Sequence, residues 1–368
     1  MNTFITKKNF SPINVKNKGV QKNRAFVALF KRFISKRLLL ILAVFFLSFL
    51  VLTHPSLPKK AVTDSLLYCL TNLIPSLFPF MIAGELLIYA GFPSICQRRL
   101  GKIFQMIFGI SGKGTAAFII GAFCGFPVGG KTAVTLYQSG DISIEDAEKL
   151  SGICNNCGIG FLISGVGAGL WGSLSFGIIL YLSQIFAAIL TGVLLFGIPY
   201  RKSAPQFSVN PIRNVSSPQT QVHALRSPEN AFSLSGAVSS AVTSSFSALL
   251  KVIGLVMFFE IALSVIGNLL CAYSVPTLLT SVIFAFTEIT AGTKSLYSLS
   301  LLVPSFYLSL AKILTFTFSA FGGISVYMQF CAIAIPAGVE TGTYIKTKLV
   351  QAAFSTLIGT VFVFFGTI

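Results

Sequence analysis

The stretch LLYCLTNLIPSLFPFMIAGELLIYA, residues 66–90, decides the class of this protein. Its side chains are almost all apolar, and Glu85 is the one charged residue in it. A helix needs about 20 such residues to cross roughly 30 Å of hydrocarbon. Runs of similar length recur from Arg37 to the C-terminus. The sequence therefore predicts an all-α polytopic membrane protein.

Composition and charge agree with this class. Hydrophobic residues make up 54% of the chain and charged residues 10%, a balance that the surface of a soluble domain of this size does not tolerate. Ten of the 27 Lys and Arg residues precede Leu38, which predicts a cytoplasmic N-terminus by the positive-inside rule. A basic arm that binds nucleic acid is the alternative. We expect no nucleic-acid partner, because the other basic residues concentrate in short connections between apolar runs.

The apolar runs divide the chain into five parts. They are a basic cytoplasmic tail at 1–36, a signal-anchor helix and loop at 37–61, a first repeat at 62–199, a polar linker at 200–236 and a second repeat at 237–368. The anchor rests on the run Leu38–Leu52, since no small-residue cleavage site for a signal peptide follows it. The linker is rich in Pro, Ser, Asn and Gln, which is typical of flexible segments.

Two segments contain apolar pieces that are too short to cross a membrane. In 111–140 and in 277–299, a short apolar piece, a break containing glycine and a second short piece follow one another. This pattern predicts two re-entrant hairpins, with breaks at Gly129–Gly130 and Ala291–Gly292. Each half then has three crossings beside its hairpin, and the anchor brings the total to about seven spanning helices.

An odd number of crossings per half would insert the second half upside down. The connections QRRLGK, YRK and YIKTK and the linker around Gln219 then lie in the cytoplasm, whereas Lys59 and Lys60 lie outside. Matching segments support the duplication: Glu85 in MIAGELLIYAG corresponds to Glu260 in MFFEIALSVIG, VGGKTAVTLY to TAGTKSLYSL, and CGIGFLIS to FGGISVYM. Inverted repeats whose broken helices meet near the midplane are typical of secondary transporters.

Four motifs carry a resemblance to a known family. They are PSLFPFMIAGELL, then GFPVGGKTA with EDAEKL and CNNCGIGF after it, then EITAGTK, and finally FGGISVYMQ. The chain resembles, from about Leu66 to its C-terminus, the YlbJ-type family of sporulation integral membrane proteins. That family is in the wider group with a nucleoside-recognition or Gate domain, which is distantly similar to concentrative nucleoside transporters. The resemblance implies a protein of spore formation, in the cell membrane or the forespore membranes, with transport of an unidentified solute as one role. Tyr327 stands where the resemblance leads us to expect His, so no protonatable role is carried over to that position.

The hairpin breaks are the first candidates for a binding site. Half-helix N-termini at a break expose unpaired N–H groups, which suit an anionic or polar ligand, and Lys131 either strengthens that field or extends to the headgroups. Residues 125–132, GFPVGGKT, also match the phosphate-loop pattern. An NTPase is not favoured, because the chain lacks a strand-Asp partner for magnesium, the segment lies between membrane runs, and its repeat-mate TAGTK departs from the pattern. The expected substrate-binding residues are Glu288, Thr287, Thr290, Gly292, Gly129, Gly130, Lys131, Thr132, Asn155, Asn156, Gly322 and Gly323.

Three acidic residues within apolar runs are candidates for proton or ion coupling, namely Glu85, Glu260 and Glu288. An ionised carboxylate is costly there unless it is paired, hydrated or protonated. We favour Glu288, because it lies at a hairpin break. The alternative for it is a structural ion pair with Lys294, Lys131 or Lys251. The other two acids fit paired structural roles better.

The remaining candidates each have two interpretations. The pair Asn155–Asn156 either contacts a substrate or makes hydrogen bonds between helices. The pair Gly322–Gly323 either breaks its helix, freeing carbonyl groups for a cation, or permits close packing. Cys154 and Cys157 have CxxC spacing but no His nearby, so we expect neither a metal site nor a cofactor.

The sequence thus predicts a secondary transporter that binds a small polar solute, nucleoside-like solutes included, at a midplane site between the two hairpins. The alternative is a non-transporting scaffold protein required for formation of the spore envelope. An enzyme is not expected, because His54 and His223 lie in loops remote from any acid pair. The other expected partners are membrane lipids, and association into a homo-oligomer is left open.

Overall fold

The computed structural model describes residues 36–53, 55–202, 233–302 and 305–366, and these residues form helices without a strand. The predicted all-α class is therefore confirmed over this part of the chain. The basic tail before residue 36, linker residues 203–232, which include Gln219, and both histidines lie outside the described residues. The chain divides into two units, Met1–Pro55 and Ser56–Ile368.

The first unit contains one described helix, α1 (Lys36–Thr53), which includes the predicted anchor run. Leu42, Phe45 and Phe49 in it are more than half exposed. Apolar side chains that face outward in this way suit a lipid environment.

The second unit begins with the helices of the first predicted repeat. They are α2 (Ser56–Tyr68), α3 (Ile74–Tyr89), α4 (Phe92–Phe108), α5 (Gly114–Cys124), α6 (Val128–Gln138), α7 (Ile144–Cys154), α8 (Leu174–Gly192) and α9 (Ile198–Lys202). Three π-helical segments lie among them, at Cys69–Leu73, Gly160–Leu170 and Val193–Gly197. The first joins α2 to α3 and the third joins α8 to α9, whereas a non-helical stretch separates α7 from the second.

The second predicted repeat shows a similar order of elements. Its helices are α10 (Leu234–Ala272), α11 (Thr277–Thr287), α12 (Ile289–Leu302), α13 (Ser305–Phe321), α14 (Gly323–Ala334) and α15 (Gly342–Phe364). In both halves a long helix comes first, then two short helices that pack against each other, then a broken helix, and finally a long helix. The first half has α4 in addition.

Five helices in the described residues are long and apolar enough to span a membrane. They are Pro58–Tyr89, Leu174–Tyr200, Leu234–Ala272, Phe306–Ala334 and Gly342–Phe364. Several spans therefore confirm an integral membrane protein. The total of about seven spans and the re-entrant course of the pairs α5–α6 and α11–α12 stay predictions.

Two predicted connections lie inside helices instead. QRRLGK at 97–102 is part of α4, which buries Cys96, Phe104 and Phe108 and exposes Arg98 and Arg99. This two-faced pattern makes an amphipathic helix rather than a loop. YIKTK at 344–348 belongs to the first turns of α15. The basic residues at these positions were misleading because a charge on a helix surface and a charge in a loop look alike in sequence.

The two hairpin breaks lie a few residues before the predicted positions. The first falls between Cys124 and Val128, where Gly125 has a φ of +77°, and the second is Glu288 itself. Gly129–Gly130 and Ala291–Gly292 lie in the first turns of α6 and α12. These glycines serve close packing, whereas Gly125 supplies the left-handed backbone that a tight break requires.

The Ser and acidic residues of DISIEDAEKL predict a helix that starts there and runs on through SGICNNCGIGFLISGVGAG, and the structure confirms its start but not its course. Ser143 caps α7 by accepting a hydrogen bond from the Asp146 amide over 3.1 Å, as the acidic segment DISIEDAEKL predicts. The helix does not continue through CNNCG, because it ends at Cys154. In the second half, Gly322 has a φ of +86° and separates α13 from α14, which confirms the predicted break.

Helices of the two halves pack against each other in several places. The final helix α15 contacts α7 and α8 of the first half as well as α13 of its own half. Helix α10 lies along α2 and α3, and α14 contacts α6. The breaks of both halves therefore come together inside one body.

Candidate functional site

A small cavity lies where broken elements of both halves meet. The room inside it is water-sized. It is lined from the first half by Leu73, Ser76, Leu77, Phe126, Gly158 and Phe161, and from the second half by Val252, Val256, Glu288, Ile289, Thr290, Val326 and Gln329. Each half thus contributes a long helix, a hairpin break and a broken helix. Most of the lining is apolar, with a carboxyl, an amide and two hydroxyl groups set into it.

Glu288 is the acidic residue of this cavity. Its backbone is extended, with φ −142° and ψ 125°, and it separates α11 from α12. Its side chain is 1% exposed, and its Oε2 accepts a hydrogen bond of 2.7 Å from the Ala291 amide at the start of α12. Among the described residues no Lys or Arg lies within ion-pair distance of it. The N-terminus of α12 holds this carboxyl group, rather than a lysine.

A tyrosine and a lysine surround Glu288 on the side of α2. The Tyr68 side chain lies close to Thr290 and to Glu288. The Lys294 ammonium sits 4.2 Å from the centroid of the Tyr68 ring, a cation–π contact. Lys294 also acts electrostatically on Glu260. Tyr68 was not predicted from the sequence as a site residue, because a tyrosine in a long apolar run has no local pattern that indicates its role.

Gln329 brings an open acceptor to the cavity. The side chain is 5% exposed, and its amide nitrogen donates a long hydrogen bond of 3.4 Å to the Ser325 hydroxyl. Its oxygen Oε1 has no hydrogen-bond partner among the residues that the structure describes. A buried acceptor without a donor is uncommon and costs free energy, so it marks a place where a ligand or water donates.

A second acid is paired with a lysine. The Lys131 ammonium donates to Glu85 Oε1 and, over 2.6 Å, to the Ser244 hydroxyl. The Ser244 hydroxyl in turn donates to Glu85 over 3.2 Å. This group joins α6 to α3 and α10. Lys131 is therefore held by Glu85 and Ser244 and does not line the cavity.

The predicted glycines serve as contact points. A Cβ on Gly129 would overlap the Cys154 carbonyl oxygen, and one on Gly292 would overlap Ala285 in α11. A Cβ on Gly130 would lie 2.9 Å from the Phe330 ring, and one on Gly323 would lie 3.1 Å from the Thr287 carbonyl oxygen. Small residues of this kind let membrane helices approach closely.

The asparagines belong to a second polar centre, outside the cavity. Asn155 donates to the Tyr344 hydroxyl over 3.1 Å, and the Asn156 oxygen accepts from Lys348 over 3.0 Å and from Gln351 over 2.7 Å. All of these side chains are buried. Lys348 was not predicted as a site residue, because its segment YIKTK was interpreted as a basic connection.

A repeated sequence could have pointed to this centre. LSQIFAAILTG at 182–192 in α8 matches LVQAAFSTLIG at 349–359 in α15, which aligns Gln184 with Gln351. Gln184 accepts from the Cys157 amide and donates to the Cys157 carbonyl, each over 3.0 Å. Both glutamines therefore support the non-helical stretch between α7 and the following π-helical segment.

Only part of the predicted set comes together in the cavity. Glu288 and Thr290 line it, whereas Lys131 and the two asparagines make contacts elsewhere. Thr132 is buried in α6, and the Thr287 hydroxyl bonds to the Ile283 carbonyl of its own helix. The phosphate-loop segment lies between two helices, so the strand that such a loop requires is not present before it.

Comparison with known proteins gives one similar sporulation protein. No family model matches the chain, and no solved structure matches it. The chain is 27% identical over 342 residues to the sporulation integral membrane protein YlbJ of Bacillus subtilis (strain 168), which covers 88% of this chain and 82% of that protein. This similarity supports the YlbJ-type family. The family resemblance predicted from the four motifs is thereby confirmed, whereas the nucleoside-recognition detail is not.

Proposed function

We propose that this chain is a secondary-transporter-like protein of spore formation, which binds a small polar solute in the cavity between its two halves. One observation carries the proposal. The cavity is lined by equivalent elements of both halves, and it holds the buried Glu288 carboxyl group beside the unpaired Gln329 oxygen. Sites of secondary transporters lie between repeats, at broken helices.

The polar groups of the cavity define the chemistry of the solute. Gln329 Oε1 is an open acceptor, and Glu288 adds a carboxyl group. Such a site favours a solute that brings N–H or O–H donors, and the apolar walls with Phe126 and Phe161 suit a compact ring or chain. A nucleoside-like solute meets this description, as do other small amides, amines and polyols.

The small size of the cavity suits a closed state of the proposed transport cycle. A water-sized room does not admit such a solute, so the hairpin α11–α12 or its counterpart α5–α6 must move aside first. A closed site between two halves corresponds to an occluded state of alternating access. The small volume of the cavity also favours the alternative scaffold function, because the hairpins then serve only as packing elements.

The proposed function implies a location in a membrane. We infer a multi-pass protein of the cell membrane, including the forespore membranes, with its N-terminus in the cytoplasm. The similarity to YlbJ and the basic N-terminal segment support this location.

A ligand-stabilisation screen tests the binding site. The purified full chain is heated with a library of small polar solutes, and we expect at least one to raise the unfolding temperature. The rise should vanish in Glu288→Gln and persist in Glu260→Gln, which removes an acid that does not line the cavity. No stabilising solute, or an equal rise in both variants, would contradict the site and favour the scaffold function.

A further inference from the structure

Lys348 is a fully buried lysine in the middle of a polar network. It lies in α15 and is 1% exposed. Its amine donates to the side-chain oxygens of Asn156, over 3.0 Å, and of Gln351, over 2.8 Å. Both acceptors are neutral amides. Among the described residues it forms no ion pair with an acidic group.

We propose that Lys348 is a proton-binding site, which takes up a proton from water on one side of the membrane and releases it on the other. In uptake, the lone pair of the amine nitrogen forms a new N–H bond with a proton from water. In release, that N–H bond breaks and the proton returns to water. The use of this step in a transport cycle rests on the function proposed above, whereas the protonation itself does not.

The hydrogen bonds of the amine match its neutral form. An ammonium group has three N–H donors and needs three acceptors when it is buried, but Lys348 has two. A neutral amine has two N–H donors, and both are satisfied here. Adding the third proton would leave one buried donor unsatisfied unless the network rearranges.

No carboxylate fixes a charge at this position. The titratable groups that act electrostatically on Lys348 are the thiols of Cys154 and Cys157, both on the α7 side. The Cys157 thiol donates to the Ser319 carbonyl oxygen over 3.2 Å, so it carries its own proton. Of the other helices packed on α15, α8 contains no charged residue and α13 contains only Lys312. The acids of α7 bond elsewhere: Glu145 to Lys149, Asp146 to the Ser111 amide and Glu148 to the Glu340 amide.

The polar network connects Lys348 to the wall of the cavity. Asn156 lies in the non-helical stretch after α7, and the next residues, Cys157 and Gly158, lead directly to the cavity wall. A third donor on Lys348 needs a new acceptor, so Asn156 or Gln351, which hold the amine by its two present bonds, would have to move. Protonation would therefore shift one wall of the solute site.

The experiment measures whether Lys348 gains a proton when the protein unfolds. Unfolding by sodium dodecyl sulfate in mixed micelles is followed at several pH values below about 10, where an exposed lysine is charged. For the wild type, this lysine should raise the unfolding equilibrium constant about tenfold for each unit by which the pH falls, because the unfolded state binds one proton more than the folded state. Lys348→Met should lose that contribution, and Lys294→Met should keep it.

The outcomes separate the alternatives. Equal pH dependence in the wild type and in Lys348→Met would mean that the lysine is charged in the fold, which overturns the proposal. Lys348→Gln serves the same comparison if the Met variant does not fold. The result does not depend on any solute, so failure to find transport would reject the proposed function and leave the protonation site standing.

Discussion

Two acidic residues in apolar segments have different partners. Glu85 is bonded to Lys131 and Ser244, whereas the Glu288 carboxyl group is bonded to an amide at the start of α12. A lysine partner leaves a buried charge behind when the acid is removed. A helix N-terminus does not, because its amides can also bond to a neutral oxygen. The two sites should therefore respond differently to substitution.

Glu288→Gln is expected to leave the protein folded and as abundant as the wild type. The glutamine oxygen can still accept from the Ala291 amide, but the side chain can no longer ionise. Glu288→Ala removes the acceptor as well and should cost about 1 kcal/mol, as the loss of a helix cap does. Abundance in membranes and spore formation in the host are measured together. Normal spore formation with normal abundance of Glu288→Gln would remove this residue from the site.

Lys131→Met is expected to destabilise the protein, because the largely buried Glu85 loses its cation. We expect a decrease of about 1–3 kcal/mol in the free energy of unfolding. The double variant Lys131→Met with Glu85→Gln should recover most of it, since no charge is then left unpaired. If the double variant is no more stable than Lys131→Met, the ion pair is not what holds α6 to α3.

At the level of elements, the hairpin α5–α6 depends on small residues against the end of α7. Gly121 and Gly129, one on each arm, both face the Cys154 carbonyl oxygen. Gly129→Ala should cost about 1–3 kcal/mol or more through overpacking. Gly254→Ala in α10 is the matched control, because a Cβ there meets nothing within 4 Å, and it should be neutral or stabilising by up to about 1 kcal/mol. Unfolding curves of both variants measure these changes. Equal stability of Gly129→Ala and Gly254→Ala would contradict the packing role of Gly129.

The elements that the sequence predicted well are those with a strong local signal. Long apolar runs located the spans, Ser143 with its acidic neighbours located the start of α7, and Gly322 located a break. The breaks of the hairpins were displaced, because a glycine that permits close packing and a glycine that permits a turn look the same in sequence. Lys348 was missed since tertiary contacts, not local pattern, bury it.

At the scale of the whole molecule, the predicted inversion has a direct consequence. The outer ends of the two hairpins should face opposite sides of the membrane, with Gln138 at the end of α6 in the cytoplasm and Tyr273 before α11 outside. Both residues are exposed, so each can be replaced by cysteine in a cysteine-free background. An impermeant thiol reagent added to intact cells should label Tyr273→Cys and not Gln138→Cys. Labelling of both or of neither would mean that the repeat is not inverted.

The central claim is that the cavity between the two halves binds a solute for transport. Its most direct test is uptake into proteoliposomes of the solute that stabilises the purified protein, measured for the wild type and for Glu288→Gln at equal protein content. We predict that the wild type takes up the solute faster than protein-free liposomes, and that Glu288→Gln does not. Uptake by both proteins at the rate of protein-free liposomes would contradict the claim.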